Sequence, residues 1–235
     1  MSTLTTPRFH YPESDGKPMA DNTLQFEWIV TIQGNLDAMF RDVPDIFVAG
    51  DHLIYPVEGN IGIRQAPDTY VAFGRPKGHR GSYAVSEEDG IFPQVIFEVW
   101  SPHNRQQEME VKREFYEKYG AEEYYIVYPE FPAHIDGWRQ ENGVLARLPE
   151  MNGFVSPRLK IKFELKRGKV AIYRPDGERF LNFVEVRALA ELERTHAAAE
   201  KQRATAEQQR AETAEQRASK LAARLRELGI DPDAV

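Results

Sequence analysis

Two stretches decide how this chain folds: "APDTYVAF" at 66–73 and "PQVIFEVWSPHN" at 93–104. Each reads as a buried strand, and the second is the near-continuous apolar run of a central strand covered on both faces. Yet each carries one carboxylate, Asp68 at the head of the first and Glu98 near the end of the second. An ionised carboxylate withdrawn from water is costly unless a partner or a metal neutralises it. On neighbouring strands the two acids come within reach of one cation. Mg²⁺ accepts a few carboxylates and keeps several waters, so two acids suffice.

Downstream, "SPHNRQQEMEVKREFYEKYG" (101–120) predicts a helix, with Ser101 or Asn104 as its cap, Pro102 tolerated at its start and Gly120 at its end. Met109, Lys112, Tyr116 and Tyr119 share one face of it, and Lys112 is the charged member of that stripe. A lysine turned toward a sheet needs an anion, which the two acids provide.

Upstream, Leu24, Trp28, Ile32, Leu36 and Phe40 recur at four-residue spacing and predict a helix from Asn22. "DIFVAG" and "HLIYPV" read as strands, and residues 74–90 as a loop rich in glycine and charge. "EEYYIVYP" is a further strand, followed by short β-like runs, "GVLARL", "KIKFELK" and "KVAIYR". The order predicts an α/β domain with a mixed central sheet flanked by helices. Three parts follow: a flexible arm over 1–21, the domain over 22–182, and a helical or coiled-coil tail over 183–235. In the tail, alanine recurs every seventh residue from Ala190 to Ala218, and glutamate fills half of the second seam, leaving Leu221, Leu225 and Leu228 as a firmer distal end.

Composition narrows the chemistry. With no cysteine there is no disulfide, thiolate metal site or cysteine nucleophile, which suits a reducing cytoplasm. No apolar run is long enough for a membrane span, so a cytoplasmic protein is expected. A net charge of −7 argues against non-specific coating of nucleic acid, so any such contact needs a local basic surface. Arg75, Lys77 and Arg80 in the glycine-rich loop are candidates for DNA phosphates, and a solvated loop is the plainer reading. The stretch 158–179 carries eight basic residues against three acids, a second candidate for which a charged hairpin face is the plainer reading. The histidines lack the spacing of a zinc site.

"APD" with its strand, "FEVWSPHN", and "KREFYEKYGAEEYYIVYP" together resemble the Uma-two family of restriction-endonuclease-like proteins, within the PD-(D/E)xK nuclease superfamily. The resemblance runs from about Asn22 to Arg174 and implies a restriction-endonuclease-like core with Mg²⁺ or Mn²⁺ as cofactor and DNA as substrate. It places Asp68 and Glu98 as metal ligands, with the backbone carbonyl of Val99 as a third. The superfamily lysine would stand two residues after Glu98, where this chain has Trp100; the resemblance implies Lys112 as its replacement. Glu27 matches an acid that some members add from the first helix.

Two functions emerge. One is a Mg²⁺-dependent DNA endonuclease that dimerises through its tail. The other is a non-catalytic scaffold of the same fold that acts through its tail, in which Asp68 or Glu98 simply pairs with Lys112.

Overall fold

The computed structural model describes residues 9–16 and 18–229. The chain divides into two compact units at the Asn182–Phe183 bond.

The first unit is built on a six-stranded sheet. Its strands are β1 (Ile46–Ala49), β3 (Thr69–Phe73), β5 (Val95–Val99), β6 (Glu123–Tyr128), β7 (His134–Glu141) and β8 (Val144–Arg147), in the spatial order β1-β3-β5-β6-β7-β8. Only β5 and β6 run parallel, joined by the crossover helix α2 (Gln106–Tyr119); the remaining pairs are antiparallel. The sheet is therefore mixed. β5 is buried at all five residues, as its apolar run requires. Two short strands, β2 (Ile54–Tyr55) and β4 (Tyr83–Ala84), pair beside it, and β9 (Lys162–Lys166) with β10 (Lys169–Tyr173) forms a separate hairpin.

Each face of the sheet has its own core. Val95, Phe97 and Val99 of β5 pack with Ile29, Ile32 and Leu36 of α1 (Thr23–Met39) and with Phe163 and Ile172 of the hairpin. Ile96 packs on the other face with Met109 and Tyr116 of α2 and with Tyr124 and Ile126 of β6. Strand alternation thus sends Glu98 to the α2 side.

Some expectations need correction. The buried stripe of α1 is Gln25, Ile29, Ile32 and Leu36, while Leu24 is exposed. A strict four-residue spacing drifts around a helix with 3.6 residues per turn, so Leu24 and Phe40 cannot share its centre. α2 begins at Gln106 with no side-chain cap; Ser101 and Asn104 instead form a turn, Asn104 Oδ1 accepting from Ser101 N–H at 2.8 Å. Gly120 does close the helix, in the left-handed region at φ 108°. β7, the longest strand, was not anticipated: "HIDGWRQE" mixes glycine and charge because one face is half-exposed. Of the expected arm, residues 1–8 and 17 lie outside the described residues, and part of the rest is held. Tyr11 is buried, and Tyr55 Oη donates to the carbonyl of Pro12 at 2.8 Å.

Among the described residues, the second unit forms one helix, α3 (Phe183–Glu227), 45 residues long with no buried side chain. Among the described residues, no helix is long and apolar enough to cross a membrane.

Candidate active site

Asp68 immediately precedes β3, and Glu98 is the fourth residue of β5, its antiparallel neighbour. At this end the ladder stops pairing backbone to backbone. The N–H of Val99 donates to Asp68 Oδ2 at 2.6 Å, and the carbonyl of Val99 accepts from Gln25 Nε2 at 2.8 Å. Gln25 is itself fixed: Asn22 caps α1 by accepting from Gln25 N–H at 2.8 Å, and Gln25 Oε1 accepts from Asp21 N–H at 2.8 Å. Asp21 in turn accepts from Ser101 Oγ at 2.5 Å. The start of α1 and the end of β5 are thereby tied into one hydrogen-bonded frame.

Glu98 is 1% exposed and held from α2. Lys112 Nζ donates to Glu98 Oε2 at 2.8 Å, and Tyr116 Oη donates to Glu98 Oε1 at 2.7 Å. Lys112 and Tyr116 are four residues apart and so project together from one helical face. Trp100 shares the sheet face of Glu98 and packs against Tyr128, ring centroids 5.2 Å apart. Trp100 stands two residues after Glu98, and the ammonium that meets Glu98 comes from α2.

The electrostatics follow from crowding. Burial and the charge of Glu98 push the Asp68 carboxyl well above its ordinary range, against smaller opposing pulls from Lys112 and the Val99 N–H. Burial alone would lower Lys112, but Glu98 and Asp68 outweigh it and hold the ammonium above its ordinary value. Tyr116 is driven up by burial and then by Glu98, so it stays a protonated donor.

Asp68 and Lys112 line an open cleft of about 310 Å³, with Gln25 and His103 also in its wall. Asp15, Asp21, Asp51 and Glu108 make that wall strongly acidic. Asp51 is raised by burial and by Asp15. Glu98 lies behind this wall, screened by its partners.

Glu27 is not brought to the cleft: it is exposed, and its Oε1 accepts from Asn182 Nδ2 at 2.8 Å. Residues two apart on a helix point in nearly opposite directions, so with Gln25 facing the sheet Glu27 cannot. The loop cations are not brought there either. Arg75 is buried and pairs with Glu88 at 2.8 Å and with Asp89; Arg80 pairs with Glu88 at 2.5 Å and lies over Phe47; Lys77 meets Asp37 at 3.5 Å. Arg75 and Arg80 spend their charge inside the domain, while the Lys77 pair lies at its surface. In the second basic stretch, Arg158, Lys162 and Arg174 pair likewise with Glu122, Glu164 and Asp176.

Sequence reasoning missed Gln25 and Asp51. Gln25 is a polar residue within an apolar stripe, a signal as legible as Lys112 in its own. Asp51 offers none, since only the fold of the 50–68 segment carries it to the cleft. Another buried carboxylate, Glu123, also escaped notice. It accepts from Tyr125 Oη, Ser156 Oγ and the N–H of Arg158, which makes it a structural clamp.

Among the described residues, no group of three or more His, Asp or Glu side chains is arranged to hold a metal. The pair Asp68–Glu98 still suits a hard divalent ion. Two of the four lone-pair sites of Glu98 are used, Asp68 Oδ1 has no hydrogen bond among the described residues, and the mutual repulsion would be relieved by a cation.

A comparison with curated proteins finds no match. A crystal structure of "a putative nuclease belonging to DUF820" from Anabaena variabilis ATCC 29413 is similar, at 13% identity and a TM-score of 0.43, over 62% of this chain and 79% of that one. The profile of a family described as "Putative restriction endonuclease" matches residues 5–199, which is most of the sequence. The chain belongs to the Uma2 family.

Proposed function

We propose that this chain is a metal-dependent endonuclease that hydrolyses DNA phosphodiester bonds at the cleft bordered by Asp68. The observation that carries the reading is the convergence of Asp68, Glu98 and Lys112 from two adjacent strands and a crossover helix. Family membership supports a nuclease.

Asp68 and Glu98 would hold Mg²⁺ or Mn²⁺, with the carbonyl of Val99 as a third donor on its remaining lone pair. Such an ion supplies Lewis-acid charge for phosphoryl oxygens and acidifies water. Lys112 contributes a fixed ammonium at the cleft wall, placed to orient a water and to offset charge on the scissile phosphate. Gln25 and Tyr116 position the groups they touch, Gln25 through the Val99 carbonyl and Tyr116 through Glu98.

The second reading, a nuclease-like scaffold, rests on a specific observation: Glu98 is fully enclosed by Lys112 and Tyr116, and the cleft wall repels a polyanion. Incubation of purified protein with plasmid DNA and Mg²⁺ or Mn²⁺ separates the two. Cutting that EDTA abolishes, and that Asp68→Asn and Glu98→Gln both lose, supports the enzyme. Absence of cutting with either ion on duplex and single-stranded DNA supports the scaffold.

A further inference from the structure

The charge pattern of α3 specifies how two copies of this chain would pair. Along the helix, one seam reads Phe183, Ala190, Ala197, Ala204, Ala211, Ala218, Leu225 at seven-residue intervals. The other, three residues on, reads Val186, Glu193, Glu200, Glu207, Ala214, Leu221, Leu228. The large apolar side chains sit at both ends, and all but the half-buried Leu225 are exposed: Phe183 is 77% and Leu221 65% accessible. The helix runs 45 residues with no buried residue, so most of the seam faces outward.

Parallel, in-register pairing would stack Glu193, Glu200 and Glu207 each on its own copy, three like-charge layers in the core of the pair. Antiparallel pairing removes all three. In an antiparallel coiled coil each residue of one seam faces the other seam of the partner. With the two-fold axis between Thr205 and Ala206, Glu193, Glu200 and Glu207 face Ala218, Ala211 and Ala204 of the second copy. In the same register Phe183 meets Leu228, Val186 meets Leu225, and Ala190 meets Leu221, so the two apolar ends cover each other.

Charge complements shape. The residue before each facing alanine is arginine: Arg217, Arg210 and Arg203, on the edge of the helix next to the glutamate seam. Each glutamate therefore gains an arginine across the interface, and the arginines, which alone would repel, interleave with acids. Alanine at the facing positions lets the axes approach to the near end of the roughly 8–10 Å range of packed helices, which brings those side chains together.

We propose that α3 is a homodimerisation helix that pairs antiparallel with a second copy of this chain in that register. Pairing then sets the two Phe183 ends, to which the site-bearing units are joined, about 65–70 Å apart at 1.5 Å per residue.

The absence of native cysteine makes the test clean. Full-length Ala190→Cys and Leu221→Cys proteins are mixed, oxidised and run without reductant, with sedimentation equilibrium on the cysteine-free parent. The proposal predicts a dimer, a covalent heterodimer from the mixture, and no cross-link from Ala190→Cys alone, whose thiols would lie about 45 Å apart, far beyond disulfide reach. Cross-linking of Ala190→Cys to itself would overturn it in favour of parallel pairing. A parent that sediments as a monomer, or a dimer whose mixed cysteine variants never join, overturns it as well.

Discussion

Lys112 Nζ and Glu98 Oε2 lie 2.8 Å apart, the lysine side chain 16% and the glutamate 1% exposed. Asp68, the second acid of the site, makes no direct bond to that ammonium and is held by a backbone N–H instead. The two carboxylates that look alike in sequence therefore occupy different energetic positions, one paired and one crowded.

Activity should depend on both. Asp68→Asn and Glu98→Gln each keep side-chain volume and remove charge, and each is expected to lower metal-dependent cleavage more than about 100-fold, beyond the loss typical of an outer-shell partner. Initial rates of plasmid nicking in Mg²⁺ measure this. Parental rates in both variants would assign the cutting to another site.

Stability should separate the same two variants. Glu98→Gln leaves a buried ammonium without its counter-charge and is expected to cost about 3–5 kcal/mol. Asp68→Asn retains an acceptor for the Val99 N–H and removes a repulsion, so it should be neutral or stabilising in EDTA. The pH slope agrees: a carboxyl raised in the fold binds its proton more readily than the unfolded chain, so its contribution declines as pH rises from its ordinary value of 3.8. Denaturant melts of both variants in EDTA check the ordering, and equal losses would contradict it.

Tyr116→Phe removes a donor from a carboxylate with no water to replace it. The expected cost is roughly 1.5–3 kcal/mol, the range for hydrogen bonds to charged groups. Metal titration by calorimetry adds a second readout, because a Glu98 left with one donor should bind Mn²⁺ at least as well as the parent does. Weaker binding together with unchanged stability would contradict this role.

Acid should release the segment over 74–90. Burial would raise Glu88, but its bonds to Arg80 and Arg75 outweigh that and hold it below its ordinary value of 4.5. A depressed carboxyl stabilises the fold above its unfolded pKa, and that contribution is lost as pH falls through the folded value. Melting temperature should therefore drop below about pH 4.5 partly through this group, and Glu88→Gln should start lower at pH 7 with a shallower acid slope. Parallel slopes in parent and variant would show that Glu88 does not contribute.

The sequence alone was enough for the central strands, for the helix between β5 and β6, and for marking Asp68, Glu98 and Lys112 as charges out of place. Each is a local contradiction, a charge inside an apolar period, and period and composition are properties of the chain itself. It was also enough for the seven-residue repeat of α3, which spacing alone displays. What only the tertiary structure decided is which charges find each other. Arg75 and Arg80 looked available for phosphate until folding brought Glu88 and Asp89 onto them. Glu27 matched a motif until the turn of α1 gave its place to Gln25. Asp51 lies in the cleft wall beside Gly50, which passes so close to the carbonyl of Asp68 that a Cβ there would lie 2.7 Å from it. Partner choice is a long-range property: it depends on distances between residues far apart in sequence, which no local period encodes.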